Sequence, residues 1–256
     1  MKSFIDKKVL LTRSMDENDG LARMLINLDF QVESLPLIEI SPNTSYAKQK
    51  NLDSMMSEFD GFIFISVNAA IYGVSLLKKN QHVLKKEHKI IAVGPRTAKE
   101  LNAEFSSVLC PEDGVGAQKL LTTNEMRDVQ GLKFLILRGR NGNPWLGEEL
   151  KSRQATVKYY DCYSRRRPRN LEKDLANLFT DKMFDVCFLH SAHAAINLIE
   201  SSGRLGQKIS NAAAVVGSKA IKEAIVEYGW KGEIAVAQTP ANTDMIKCLT
   251  SSRIIN

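Results

Sequence analysis

The chain lacks most of the patterns that announce the commoner kinds of chemistry. No apolar run approaches the roughly 18–20 residues of a membrane helix, so a helical membrane span is excluded. Met1 to Asp6 leads straight into a strand with no apolar stretch ahead of it, and no secretory leader is expected. Only 4 cysteines occur, Cys110, Cys162, Cys187 and Cys248, widely separated and never as C-x-x-C. They are read as buried thiols of a reducing cytoplasm, and no metal site is expected from them. There is no G-x-G-x-x-G, no G-x-x-x-x-G-K-[ST], no G-x-S-x-G and no H-E-x-x-H, which removes nucleotide fingerprints, the hydrolase elbow and zinc proteolysis. No pair of carboxylates stands at a telling spacing. Of 4 histidines, His82 and His88 sit in a Lys-rich stretch and are read as surface residues. His190, ending a strand, and His193, opening a helix, are read as structural.

Charge of one sign is also in short supply. Lys+Arg 35 against Asp+Glu 29 leaves +6, a mild excess that suits an anionic small molecule without requiring one. The sharpest basic cluster is Arg165-Arg166-Arg167-Pro168-Arg169, read either as a solvated run at a domain border or as a polyanion contact. No nucleic-acid motif accompanies it, so no nucleic-acid partner is expected.

What the chain does contain is an internal repeat at an offset of 125 residues. Val9-Leu10-Leu11-Thr12-Arg13 matches Phe134-Leu135-Ile136-Leu137-Arg138, and Ile63 to Ile71 matches Phe188 to Ile196. Leu21, Leu25 and Val32 stand opposite Leu146, Leu150 and Val157 at the same offset. The period is close to one domain, so two related domains with a cleft between them are predicted. Short apolar runs alternate with helical patterns over short connections, as in parallel, doubly wound sheets. Gln31–Ile40, interrupted by Pro36 and closed by Pro42, and the equivalent Thr156–Arg165 are read as edge ribbons. Polar Asn43 to Glu58 holds one weak helix. The repeat alone puts a border near residue 130. A crossed partition, in which the chain enters the second lobe along one ribbon and returns along the other, fits equally well.

Chemistry is expected where strands end. Ser66-Val67-Asn68-Ala69-Ala70 and Ser191-Ala192-His193-Ala194-Ala195 each follow a strand and open a helix. Each serine can cap that helix, and free N–H groups of the first turn favour an anion. The small alanines are read as letting a ligand approach the backbone. Ala92-Val93-Gly94-Pro95-Arg96-Thr97-Ala98 and Ala214-Val215-Val216-Gly217-Ser218-Lys219-Ala220 form a second pair of strand–glycine–helix turns. Arg138-Gly139-Arg140-Asn141-Gly142-Asn143 is an Arg-Gly turn able to bind a carboxylate.

With these residues in view, the chain resembles the uroporphyrinogen-III synthase family. The resemblance runs through Val9–Arg13, Phe64–Ala70, Ala92-Val93-Gly94-x-x-Thr97-Ala98, Leu137-Arg138-Gly139 and Val157-x-x-Tyr160-x-x-Tyr163-x-Arg165. It continues through Ser191-x-x-Ala194, Ala214–Gly217 and Ala237-x-x-Pro240. It implies an α/β fold of two similar doubly wound parallel-sheet lobes, residues 1–36 with 170–256 and residues 40–165. A two-stranded linker at 37–39 and 166–169 would join them, with the cleft between. It also implies the reaction: hydroxymethylbilane, a linear tetrapyrrole, is cyclised with inversion of its last pyrrole ring and loss of water. No cofactor and no metal are implied. The protein is expected to be a cytoplasmic monomer, with substrate handed over transiently from hydroxymethylbilane synthase.

The substrate-binding residues implied are Thr12, Arg13, Ser66, Asn68, Ala69, Gly94, Thr97, Arg138, Gly139, Ser191, Ala192, His193, Gly217, Ser218, Lys219 and Thr239, with Ser66 and Ser191 on facing lips of the cleft. Tyr163 corresponds to the family's tyrosine and is either a general acid at the departing hydroxyl or an interlobe packing aromatic. Two departures stand out: the second glycine turn has Lys219-Ala220 in place of x-Thr-Ala, and His193 is an uncommon occupant of its position. From the residues alone, a two-lobed module that binds a small anion without turning it over stays open.

Overall fold

The computed structural model of the chain describes residues 4–43, 56–79, 87–179, 183–252 and 254. His82 and most of the weak helix read into Asn43 to Glu58 lie outside these residues. The chain divides into two compact units, Met1–Glu39 with Arg166–Asn256, and Ile40–Arg165.

The first unit is a five-stranded sheet ordered β10-β9-β8-β1-β2. Its strands are β1 (Lys8–Leu11), β2 (Gln31–Ser34), β8 (Val186–Leu189), β9 (Ala213–Val216) and β10 (Ile234–Val236). Every neighbouring pair is parallel. Parallel neighbours need crossovers, and helices supply them. The helices of this unit are α1 (Met15–Ile26), α6 (Leu171–Leu178), α7 (Ala192–Glu200), α8 (Gly206–Ser210) and α9 (Lys219–Glu227), with α10 (Asn242–Ser251) following the last strand.

The second unit has the strand order β3-β7-β6-β4-β5. These are β3 (Glu39–Pro42), β4 (Gly61–Phe64), β5 (Lys89–Ala92), β6 (Lys133–Gly139) and β7 (Thr156–Arg166). Its helices are α2 (Val67–Lys79), α3 (Pro95–Asn102), α4 (Ala117–Leu120) and α5 (Trp145–Ser152). Pro95 opens α3 at the position where a missing N–H costs nothing, after Gly94 as its cap.

Both sheets are covered on both faces, and the period of two decides which residue faces which layer. In the first unit Leu10, Cys187, Leu189, Ala214 and Val216 enter one apolar cluster. Their neighbours Val9, Leu11, Val186, Phe188 and Val215 enter the other. In the second unit Phe62, Phe64, Ile90, Ala92, Leu135 and Leu137 face one way, and Ile63, Ile91, Phe134 and Ile136 the other. This is the α/β, parallel, doubly wound class read from the sequence. The offset repeat has a structural counterpart: β9-β8-β1-β2 and β5-β4-β6-β7 are the same strand order with matched sequence segments.

Two readings need correction. Gln31–Ile40 is not one ribbon: Pro36 falls between β2 and β3, which are edge strands of different sheets. Thr156–Arg165 is not an edge at all. It forms β7, paired along β6 from Lys133↔Thr156 to Gly139↔Tyr163 and flanked on its other side by β3. On that side Asn43 donates its N–H to the Cys162 carbonyl at 2.9 Å. The cysteine reading is also too simple, since Cys162 and Cys187 are buried but Cys110 and Cys248 only partly so.

Helix α2 lies close on its sheet at Gly73, where an added Cβ would stand 2.7 Å from Leu137 Cδ2. Alanine favours a helix interior by about 1 kcal/mol over glycine, whereas overpacking a core costs about 1–3 kcal/mol. Overpacking therefore wins: Gly73→Ala is expected to destabilise the protein in urea unfolding. The loss should be smaller in a Leu137→Ala background, where the nearest opposing atom is gone.

Candidate functional site

In each unit the residues singled out by sequence gather just beyond the C-terminal ends of the parallel strands, the usual place for chemistry in such sheets. In the second unit, Ser66 caps α2 by accepting the Ala69 N–H at 3.1 Å. In the first, Ser191 caps α7 by accepting from Ala194 at 3.2 Å, and Ser218 caps α9 by accepting from Ile221 at 3.4 Å. Each cap satisfies the third N–H of its helix. Those of Val67 and Asn68, Ala192 and His193, and Lys219 and Ala220 stay without intrahelical partners and carry the positive end of the helix dipole. His193 and Lys219 are exposed.

The alanines do something other than what was read into them. Ala69, Ala70, Ala194 and Ala195 are buried and belong to the apolar clusters. Their small size lets the helix sit on its sheet, and the Ala69 N–H is already taken by Ser66.

Several other candidates are engaged within the protein. Thr12 is buried and donates to the Phe188 carbonyl at 2.6 Å, tying the end of β1 to β8. Arg13 is paired with Glu17 at 2.7 Å. Arg138 is held from three sides: Nε on Asp161 at 2.9 Å, Nη1 on the Gly142 carbonyl at 3.0 Å, and the guanidinium 3.9 Å from the centre of the Tyr159 ring. It braces its turn more than it offers a loose cation. Thr97 is buried in α3 behind Gly94. Thr239 accepts the Ala241 N–H at 3.2 Å and donates to Asp244 at 2.6 Å, closing the start of α10. Gly217 has a steric reason to be glycine, since a Cβ there would meet the Pro240 Cβ at 2.9 Å.

Tyr163 is the most enclosed of the set. It is 2% exposed, inside the core of its own unit, with its ring 6.1 Å from Tyr72. The register between β6 and β7 slips between Arg138 and Gly139, so Tyr163 and not Cys162 stands opposite Gly139. Such a bulge re-aims a side chain. The phenol end lies where a residue-139 side chain would be, for a Cβ on Gly139 would stand 2.7 Å from Tyr163 Cζ. The hydroxyl is 3.1 Å from Ser66 Oγ and accepts from Arg165 Nη2 at 3.1 Å.

A concavity of about 800 Å³ in the second unit, lined among others by Lys89, Ile90, Leu109 and Glu125, opens at the start of β5 and contains none of these residues. Among the described residues no cluster of His, Cys, Asp or Glu could hold a metal ion, and no helix is long and apolar enough to cross a membrane.

Comparison with known proteins now decides the family, because the family model described as uroporphyrinogen-III synthase HemD matches residues 8–247. The chain belongs to the uroporphyrinogen-III synthase family. Two curated relatives are the uroporphyrinogen-III synthases of Escherichia coli, 28% identical over 61% of this chain and 64% of that protein, and of Proteus mirabilis, 27% identical over 61% and 79%. The matched stretch thus spans less than two thirds of the Escherichia coli relative. Among solved structures, the uroporphyrinogen-III synthetase of Helicobacter pylori superposes with a TM-score of 0.64 at 15% identity, covering 96% of this chain and 99% of that one. A mutant uroporphyrinogen III synthase from Thermus thermophilus gives 0.57 at 15% identity, covering 96% and 100%. At such identities the superpositions speak for the fold.

Two contacts in this uroporphyrinogen-III synthase family member are not visible in the local sequence. Arg165 was grouped with the solvated basic run, yet it holds the Tyr163 hydroxyl. Its place two residues along the same strand was the available signal. His190 was read as structural, but both ring nitrogens are buried without a hydrogen-bond partner among the described residues, as is Asn18 Oδ1. Burial first, then the charge of Arg13, pushes the imidazole down to about 4 from its ordinary value of 6.5. Between these values the unfolded chain binds a proton that the folded chain refuses, so stability rises with pH across that window. Lowering the pH from 7 to 4.5 is therefore expected to destabilise the protein through His190 by about 2 kcal/mol. Urea unfolding at both pH values should show that this share of the loss disappears in His190→Leu.

Proposed function

We propose that the protein is a uroporphyrinogen-III synthase, a hydro-lyase that cyclises hydroxymethylbilane with inversion of its last pyrrole ring and release of water. The observation that carries the reading is the match of the family model along nearly the whole chain. The capped helix starts at Ser66, Ser191 and Ser218 support it. A linear tetrapyrrole is a flexible chain bearing eight carboxylates, and first-turn N–H groups are good partners for carboxylates.

The pyrrole nitrogen of the substrate itself expels the hydroxyl. What the protein must supply is one folded shape of the chain in which the last ring closes inverted, together with a proton for the departing oxygen. This division of labour accounts for a site of caps, hydroxyls and braced arginines without a nucleophile. A cytoplasmic location, a monomeric state and delivery of substrate by hydroxymethylbilane synthase belong to the same reading.

The test is chromatography of the isomers formed from hydroxymethylbilane with and without the protein. Uncatalysed closure yields the non-inverted isomer, so a large excess of the inverted isomer that depends on protein concentration is expected. Binding of hydroxymethylbilane with no change in isomer ratio or rate would instead leave a non-catalytic tetrapyrrole-binding module.

A further inference from the structure

We infer that Ser66 hands the proton to the departing hydroxyl, and that Tyr163 acts one step behind it as the acid that recharges Ser66, with Arg165 holding the phenol oxygen. The inference rests on the activity proposed above and assigns roles within it. All three residues lie in the second unit, Ile40–Arg165.

The assignment follows from counting protons and lone pairs. Arg165 Nη2 can only donate, so it occupies one lone pair of the Tyr163 oxygen at 3.1 Å. The phenol hydrogen then has two choices: it points at Ser66 Oγ, 3.1 Å away, or it is left unpaired inside a side chain that is 2% exposed. An unpaired buried donor costs about 1–3 kcal/mol, so the phenol donates to Ser66. Ser66 Oγ also accepts the Ala69 N–H at 3.1 Å. Both of its lone pairs are then occupied, and its own hydrogen must point away from both donors. Among the described residues no acceptor takes it. Ser66 is half-buried where Tyr163 is enclosed, so the proton that can reach a ligand is the serine's. The wall on the other side of the phenol is Gly139, where any side chain would collide with the ring.

Each group suits its place. The serine hydroxyl is the group within reach of a ligand, and the phenol behind it is held in line by the guanidinium of Arg165. In the step itself the C–O bond of the hydroxymethyl group breaks, with its electron pair leaving on oxygen. That oxygen takes the Ser66 proton and departs as water, while Ser66 takes the Tyr163 proton. The negative charge comes to rest on the phenolate beside Arg165, and the positive charge on the pyrrole whose nitrogen lone pair expelled the hydroxyl. The freed methylene carbon then bonds the last ring at its already substituted α-carbon, the bond from that carbon to the preceding methylene breaks, and that methylene bonds the ring's unsubstituted α-carbon, where rearomatisation releases one proton. It returns through Ser66 to Tyr163, so the protein ends as it began and the net change is loss of water.

The experiment measures kcat, KM and melting temperature for wild type, Ser66→Ala, Ser66→Thr, Tyr163→Phe, Arg165→Gln and the Ser66→Ala/Tyr163→Phe double variant. Turnover in Ser66→Ala should fall about 100-fold, Tyr163→Phe and Arg165→Gln should each fall about 10-fold, and KM should stay nearly constant. Ser66→Thr, which keeps the hydroxyl and the cap, should retain turnover within a few-fold. The double variant should be no slower than Ser66→Ala alone, because groups in series are lost only once. A loss in Tyr163→Phe equal to or larger than that in Ser66→Ala overturns the relay and makes the phenol the direct donor. Multiplicative losses in the double variant overturn it as well, as does a fall in turnover that tracks melting temperature across the set. Failure of the wild type to produce the inverted isomer overturns the activity itself, an outcome visible before any variant is made.

Discussion

A parallel strand covered on both faces can offer chemistry only at its ends. That constraint orders everything else in this protein. The period of two commits alternate residues such as Val9 and Leu10, or Ile63 and Phe64, to opposite apolar layers, and closes the middle of these strands to a ligand. Right at the strand ends the chain must turn into a crossover helix, and each such turn exposes the unbonded N–H groups of a helix start. The polar residues that matter here, Ser66, Ser191 and Ser218, are the ones that make those turns. The atoms that structure requires at these turns are the same ones that the proposed activity assigns to carboxylates.

The second unit departs from this plan in one strand. β7 runs 11 residues where its repeat partner β2 runs 4. Near its far end the register slips by one residue against β6, which turns the Tyr163 phenol over Gly139. Glycine at 139 is required by that close approach and not by its own backbone angles. Arg138, the preceding residue, is fixed by Asp161 and the Tyr159 ring, so the bulge is held on both sides of the slip. The burial that makes Tyr163 a packing residue is also, in the proposed relay, what commits its proton to Ser66. For this tyrosine, packing and proton supply are not competing descriptions.

Much of the fold was legible in the chain because it rests on local rules. The apolar runs, the alternation with helices and the offset repeat all state a parallel α/β protein, and serine followed by a helix states a cap. What could not be read depends on pairs distant in sequence. Nothing near Arg138 shows that Asp161 is its partner, and nothing near Tyr163 shows that a register slip places it against Gly139. The alanines after Ser66 and Ser191 are small either to admit a ligand or to let a helix touch its sheet, and only tertiary packing distinguishes the two. Thr156–Arg165 looked like an edge because its repeat partner is broken by proline. β3 covers that edge, a strand with no counterpart in the repeat.

The two units are thus alike in their serine-capped helix starts and unlike in what stands behind the serine. At the repeat offset Ser66 answers to Ser191 and Arg138 to Arg13, whereas Tyr163 answers to Ile38 and His190 to Ile65. Arg13 is paired with Glu17 of the helix that follows it, and Arg138 with Asp161 on the neighbouring strand. In the first unit the residue ahead of the capping serine is an imidazole held neutral by burial. In the second it is an isoleucine, and a phenol–guanidinium pair stands behind the serine. A duplicated scaffold with a single proton supply has a direction. A substrate with carboxylates along its whole length but a hydroxyl at only one end has the same asymmetry. In the proposed relay elimination starts at Ser66, the serine with a phenol behind it, whereas among the described residues Ser191 has only its cap contact.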